Sequence, residues 1–169
     1  ELSLAPLSID GKSCDYFIGY SSETTHYKKS QELALEKQED LEFVLESAGL
    51  GHWDLDLKTN MTTRSLINDN LFGYKELQKK WTYSMFLSHV IVADRNRVDF
   101  AFTQAVKNNG NYDIEFRCEW PDNSIHWLWS KGRIITDEHN QPVRAVGIQA
   151  DIDEKKNAQE KIYNLAYID

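Results

Sequence analysis

Cysteine, proline, excess positive charge and long apolar runs are all scarce in this chain, and each scarcity excludes something. The two cysteines, Cys14 and Cys118, lie far apart, so there is neither a disulfide framework nor a Cys-x-x-Cys metal or redox site, and a reduced, cytoplasmic setting fits. No apolar run approaches the roughly 20 residues that span a bilayer, so no membrane contact is expected from these residues, and no signal peptide is visible. The chain opens on Glu1 without a Met; segments ahead of it are expected to be missing, and with them any membrane anchor of the full-length protein. Lys and Arg number 19 against 27 Asp and Glu, a net charge of −8. That balance argues against nucleic-acid binding, which runs on clustered cations. What remains is ordinary: 169 residues, 41% apolar, enough for one domain with appendages and a real core.

The stretch Tyr112 to Asp153 organises the rest. Tyr112, Ile114, Phe116, Cys118 and Trp120 alternate with Asp113, Glu115, Arg117 and Glu119, the period of two that marks a strand with one buried face. Pro121-Asp122-Asn123 supplies turn chemistry. The next strand, Ser124 to Thr136, is apolar on both faces, with Ile125, Trp127 and Trp129 on one and Leu128 and Ile134 on the other; such a strand is central and needs a cover on each side. Asp137 to Pro142 turns the chain again, and Val143 to Ile152 returns as a third strand.

Ahead of this meander, Leu2, Leu4 and Leu7, a turn at Asp10-Gly11-Lys12, and Tyr16-Phe17-Ile18-Gly19-Tyr20 predict a β-hairpin. Thr25 to Ser47 predicts a charged helix. Tyr27, Ala34, Leu41 and Ala48 fall at sevenfold spacing, with Val44 and Leu45 nearby, but Ser30 and Lys37 hold the complementary positions. Two readings stand: an amphipathic helix lying on the sheet, or a dimer seam. Gly49 and Gly51 break the helix, His52 to Leu57 alternates as a strand, and Met61 to Arg64 makes a short partner. Short helical turns follow from Leu66 to Val90, with Gly73 ending one of them. Asp94 is placed as the cap of a longer helix to Asn108, whose Val98, Phe102, Ala105 and Val106 form a stripe. The layout is α+β, with helices segregated to one side of an antiparallel sheet.

Taken in order, Trp53-x-Leu-Asp56, Leu71-Phe72-Gly73-Tyr74, Asp94-Arg95, Tyr112-x-x-Glu115-Phe116-Arg117, Trp127, Gly132-Arg133, Asp137, Pro142-Val143 and Gly147-x-x-x-Asp151-Ile152-Asp153 resemble the PAS domain family. The resemblance implies a five-stranded antiparallel sheet of order 2-1-5-4-3, helices cupping a small pocket against one face, and signalling helices at either end. Asp15 to Thr25 resembles the closing strand and exit motif of a preceding PAS domain, and Leu165 to Asp169 resembles the run-in to a GGDEF (diguanylate cyclase) domain. The implied organisation is a remnant of an upstream PAS domain at 1–25, a linker helix at 26–48, a PAS domain at 49–153 and an exit helix at 154–169. Three departures stand out. The loop Val92-Ala93-Asp94-Arg95 lacks the family's Pro. Asp153 stands where the exit motif ends in Thr, still able to cap the next helix. Asn140 stands where the family prefers Gly, and Asn tolerates the left-handed backbone.

No catalytic residues are assigned. No cysteine lies between Thr25 and Glu115, which excludes the covalent flavin photochemistry of the light-oxygen-voltage subclass. Haem needs an axial ligand, and His89, the sole histidine of the helical half, is placed in a surface loop. His52, His126 and His139 show no metal spacing, and no Ser or Cys nucleophile can be set beside a His and an acid. No cofactor is therefore predicted and no metal, although an unknown small ligand is not excluded. In the family register Trp53, Leu55, Phe116, Cys118, Leu128, Ser130 and Gln149 point toward the helices, and Gln149 aligns with a ring-contacting position of flavin-binding relatives. These residues either line a ligand pocket or simply fill the core. On the opposite face Trp127, Trp129, Val146 and Ile148 form an apolar patch too large to leave wet, and Leu41 and Val44 of the linker helix are its natural cover, from the same chain or a second copy. A homodimer is expected. Asp151, Ile152 and Asp153 would pass a shift of the sheet to the exit helix, whose Ala158, Ile162, Leu165 and Asp169 are spaced as a dimer seam. The expected role is a sensory module feeding a C-terminal output domain; the alternative is a ligand-free PAS domain that only holds a dimer together.

Overall fold

The computed structural model describes residues 6–9, 12–17 and 24–167. It divides into two compact units, Glu1–Val44 and Leu45–Asp169, taken here separately. In the first, β1 (Pro6–Ile9) pairs antiparallel with β2 (Lys12–Phe17), the hairpin that the alternating pattern predicted; Leu2, Leu4, Asp10, Gly11 and Ile18 to Glu23 lie outside the described residues. The helix α1 (Thr24–Ser47) begins in this unit. Its Leu33, Leu35, Leu41, Phe43 and Val44 are exposed.

Near the start of the second unit Gly49 sits in the left-handed backbone at φ 67° and closes α1 as a glycine just beyond a helix end does. Its elements are β3 (Gly51–Asp56), β4 (Thr62–Arg64), α2 (Leu66–Asn70), α3 (Tyr83–His89), α4 (Val92–Lys107), β5 (Asn111–Glu119), β6 (Ile125–Thr136), β7 (Pro142–Asp151) and α5 (Asp153–Tyr167). The five strands form one antiparallel sheet in the order β4-β3-β7-β6-β5, which is the 2-1-5-4-3 order expected. β3 and β7 are neighbours, with Gly51 opposite Gln149, so the chain enters and leaves the sheet at one end of two adjacent strands.

Alternation places the core. Tyr112, Ile114, Phe116 and Cys118 of β5, Leu128 and Ile134 of β6, Ala145 of β7, and Trp53 and Leu55 of β3 are buried on one face. Against it pack Phe72, Trp81, Val90, and the Val98–Phe102–Ala105 stripe of α4. Gly132 and Gly147 face each other across β6 and β7; a Cβ on Gly147 would come within 2.5 Å of the Trp53 ring and 2.3 Å of the Lys131 carbonyl. The glycines are the bed on which that indole lies.

Several local expectations are corrected. Gly51 is the first residue of β3 and not part of the helix stop: a Cβ there would meet the Asn68 backbone at 2.6 Å, so its lack of a side chain lets α2 lean on the sheet. Asp94 does not cap α4. The cap position is Ile91, without a side-chain bond, and Asp94 lies buried in the first turn, where its carboxylate accepts from Arg117 Nη2 at 2.8 Å and the Arg117 backbone N–H at 3.0 Å. A charged partner on β5 outcompetes the helix end. Apart from Gly49 and Gly73, the left-handed positions among the described residues fall on Asn60, Asn109, Asn123 and Asn140, in keeping with the tolerance of Asn for that region.

Candidate functional site

The floor of the site comes from four strands and its roof from the helices and the loop ahead of α3. Trp53 and Leu55 of β3, Tyr112 of β5, Ser130 of β6 and Gln149 of β7 point to the inner face. Ser130 and Gln149 are register partners, and each is buried. Asn68 joins them from α2, because Ser65 caps that helix: its Oγ accepts the Asn68 N–H at 3.3 Å and the His52 N–H at 3.1 Å. The apolar walls are Trp81, Phe86 and Phe102. The space between them is a partly open cavity of about 40 Å³, room for a few water-sized groups, since one water needs roughly 10–15 Å³ on such a measure.

The lining is mainly apolar, with a few buried polar atoms set into it. Trp53 Nε1, Asn68 Oδ1, Tyr112 OH, Ser130 Oγ and Gln149 Oε1 are all buried without a hydrogen-bond partner among the described residues, and all five residues line this one cavity. Leaving a buried polar group unpaired costs about 1–3 kcal/mol, so convergence of five in one space is a strong pull on something able to pair with them. Burial raises the Tyr112 hydroxyl far above the usual tyrosine range; it stays neutral. Burial, then a bond to Asp99 Oδ1 at 3.0 Å, does the same for Tyr83 at the rim.

Of the expected pocket residues, Trp53, Leu55, Ser130 and Gln149 line the cavity, whereas Phe116, Cys118 and Leu128 are buried in the core outside its lining. Phe116 meets Phe86 edge to face at 5.5 Å. Cys118 directs its thiol toward the Leu71 carbonyl at 3.8 Å, and burial pushes its pKa up to about 12, so it offers no thiolate for chemistry. Sequence reading missed Thr62, Asn68, Trp81, Tyr83, Phe86, Phe102 and Tyr112 as lining. Tyr112 and Phe102 were within reach, since Tyr112 shares the alternating face with Phe116 and Phe102 lies in the apolar stripe of α4; the short segments from Thr62 to Phe86 have no period from which to place the others.

His89 is not on a surface loop. It ends α3, half-buried, with Nδ1 on the Met85 carbonyl at 2.7 Å, Nε2 beside Tyr74 OH at 2.8 Å, and its ring stacked on Trp81 at 5.0 Å. Both ring nitrogens are engaged in packing this cluster.

At the exit from the sheet, Asp153 behaves differently from the cap expected of it. Its carboxylate reaches back to β6, accepting the Trp127 N–H at 2.7 Å and lying 2.7 Å from His126 Nδ1, while Asp151 Oδ1 accepts the Asp153 N–H at 2.7 Å. His126, Asp151 and Asp153 come within 4.8 Å of one another, a cluster that the linear spacing of the histidines did not reveal; its hydrogen bonds account for it. Lys155 and Lys156 of α5 pair with Glu115 on β5, and Lys156 lies 4.6 Å over the Trp127 ring, with Arg117 at 5.4 Å. The first turn of α5 is thus tied to both strands at that edge. On the same outer face Trp127, Trp129, Val146 and Ile148 are half-buried, and Trp129 Nε1 donates to Asp113 at 2.8 Å. Leu41 and Val44 are exposed on α1. Ala158, Ile162 and Leu165 are exposed on α5; Asp169, the last of that seam, lies outside the described residues.

Comparisons with known proteins converge on one family. The model of the PAS fold matches residues 69–149. The sensor protein FixL of Bradyrhizobium diazoefficiens is 34% identical over 115 residues, 68% of this chain and 23% of that protein. The probable diguanylate cyclase DgcE of Escherichia coli is 21% identical over 150 residues, 88% of this chain and 13% of that protein. The chain therefore spans less than a quarter of the length of either curated relative. Among solved structures, a sensory box histidine kinase/response regulator from Burkholderia thailandensis superposes with a TM-score of 0.64 at 24% identity, covering 73% of this chain and 92% of that one.

Proposed function

We propose, for a chain that belongs to the PAS fold family through the domain matched at residues 69–149, that this sensor domain reports the state of its inner cavity to an output domain beyond α5. The fold is non-catalytic, and the working part is the path from cavity to helix. The carrying observation is Gln149, a cavity residue with an unpaired buried oxygen, standing two positions before Asp151-Ile152-Asp153. Whatever pairs with Gln149 pulls on β7, and β7 runs into the joint where Asp153 grips β6. A shift there changes the direction of α5.

The output domain we infer to be a GGDEF diguanylate cyclase. Similarity to DgcE over 88% of the chain and the sequence Leu165-Ala166-Tyr167-Ile168-Asp169 support it. An upstream PAS domain ending near Thr25, a linker helix at 26–48 and an exit helix from 154 complete this organisation. The acting unit we take to be a homodimer, in which the exposed apolar side chains of α1 and α5 and the outer face at Trp127, Trp129, Val146 and Ile148 meet a second copy. Two such helices in register would set two output domains face to face.

Hydrogen exchange of α5 tests the path. A bulky substitution into the cavity, Ser130→Val, is expected to alter protection of residues 153–160 while the amides of α4 keep theirs. Altered exchange around the cavity with α5 unchanged would sever the proposed link. The smallness of the cavity favours a second reading, a ligand-free domain acting as dimer clamp and spacer, and that outcome is the one it predicts.

A further inference from the structure

No charged side chain lines the cavity: none of its lining residues is Asp, Glu, Lys, Arg or His. Behind the Trp81 wall, Arg64 lies 4.8 Å over the indole, but its guanidinium is committed to Asp69, to the Thr62 carbonyl at 3.3 Å and to the Gln78 carbonyl at 2.7 Å. Asp69 in turn accepts the Gln78 N–H at 2.6 Å. This pair is closed on itself and offers neither sign of charge to the cavity. Asp99 stays outside, on the far end of the Tyr83 hydroxyl.

The unpaired atoms, by contrast, are mixed in kind. Trp53 Nε1–H can only donate, Asn68 Oδ1 and Gln149 Oε1 accept, and the Tyr112 and Ser130 hydroxyls do either. Their residues are all more than nine-tenths buried, from 8% exposed for Trp53 to 1% for Asn68 and Ser130. The Asn68 and Gln149 amides carry an N–H₂ donor beside each oxygen, so the lining offers both kinds of partner and no charge; an anion would find no cation here and a cation no carboxylate, and either is penalised by desolvation. A molecule carrying a carbonyl-like acceptor and an N–H₂ donor on one carbon offers partners to the donors and to the acceptors of this set at once. The volume allows only a few heavy atoms.

Resting on the proposed sensory role of this cavity, we infer that its ligand class is a small uncharged amide- or urea-like molecule, held by Trp53, Asn68, Tyr112, Ser130 and Gln149, and that carboxylates of the same size are refused. The experiment compares acetamide with acetate, which share shape and differ in charge, at pH 7. The readout is the Trp53 indole N–H resonance, assigned through Trp53→Phe. Acetamide is expected to shift it saturably and acetate to leave it in place, with Ser130→Ala weakening acetamide by roughly three- to tenfold, the loss of one neutral hydrogen bond. Binding of acetate as tight as acetamide overturns the inferred class while leaving a cavity that senses. Saturation by neither probe, with the cavity held by water alone, overturns the class and the sensory reading of the cavity together.

Discussion

At the scale of single residues, the fold leans on positions where chemistry leaves little choice. Gly147 is one. Its Cβ would collide with a backbone carbonyl and with Trp53 at once, so Gly147→Ala is expected to destabilise by roughly 1–3 kcal/mol, the range of core overpacking, and urea melts will register it as a lower midpoint. Asp94 is another. The Arg117 side chain beside it holds its carboxyl below the usual carboxylate range. Since the folded value is the lower one, the unfolded chain takes up the proton first on acidification. The stabilisation is therefore complete above about pH 4, the ordinary Asp value, and is lost as pH falls through the folded value. Asp94→Asn is expected to cost about 1–3 kcal/mol at pH 7, with the gap to the parent narrowing near pH 3. A gap that stays constant in melts at both pH values would mean that Asp94 acts through shape and not charge.

At the scale of elements, β5, β6 and β7 were legible because one period covers each, and the sheet order followed from the ordered motif set. What escaped were the contacts that join elements. Asp94 looked like a cap and Asp153 like another, because a carboxylate ahead of a helix is the local signal; the partners that claimed them, Arg117 on β5 and Trp127 with His126 on β6, are close only after folding. Asn68 and Trp81 escaped for the same reason. The joint at Asp153 yields a further prediction. Asp153→Ala removes the acceptor for the Trp127 N–H and the partner of His126, so amides of the first turns of α5 are expected to exchange about 5–30-fold faster, as a loss of 1–2 kcal/mol implies. Exchange at the parental rate would place the anchor of α5 in Lys155 and Lys156 with Glu115 instead.

At the scale of the whole molecule, the isolated chain is expected to make no cyclic-di-GMP from GTP, which a nucleotide assay checks directly. Light scattering is expected to give the mass of a dimer. Trp129→Glu, which sets a carboxylate on the outer face, is expected to shift that mass toward the monomer or lower the melting midpoint; an intact dimer with unchanged melting would move the seam to the helices alone. The neighbouring of β3 and β7 has a mechanical side as well. Because Gly51 and Gln149 are partners at the same end of antiparallel strands, a tug between the incoming and outgoing chain does not shear the sheet. It loads the ladder one rung at a time, as a zipper is opened. Force at that end is carried first by the rungs nearest Gln149, the strand residue that also lines the cavity.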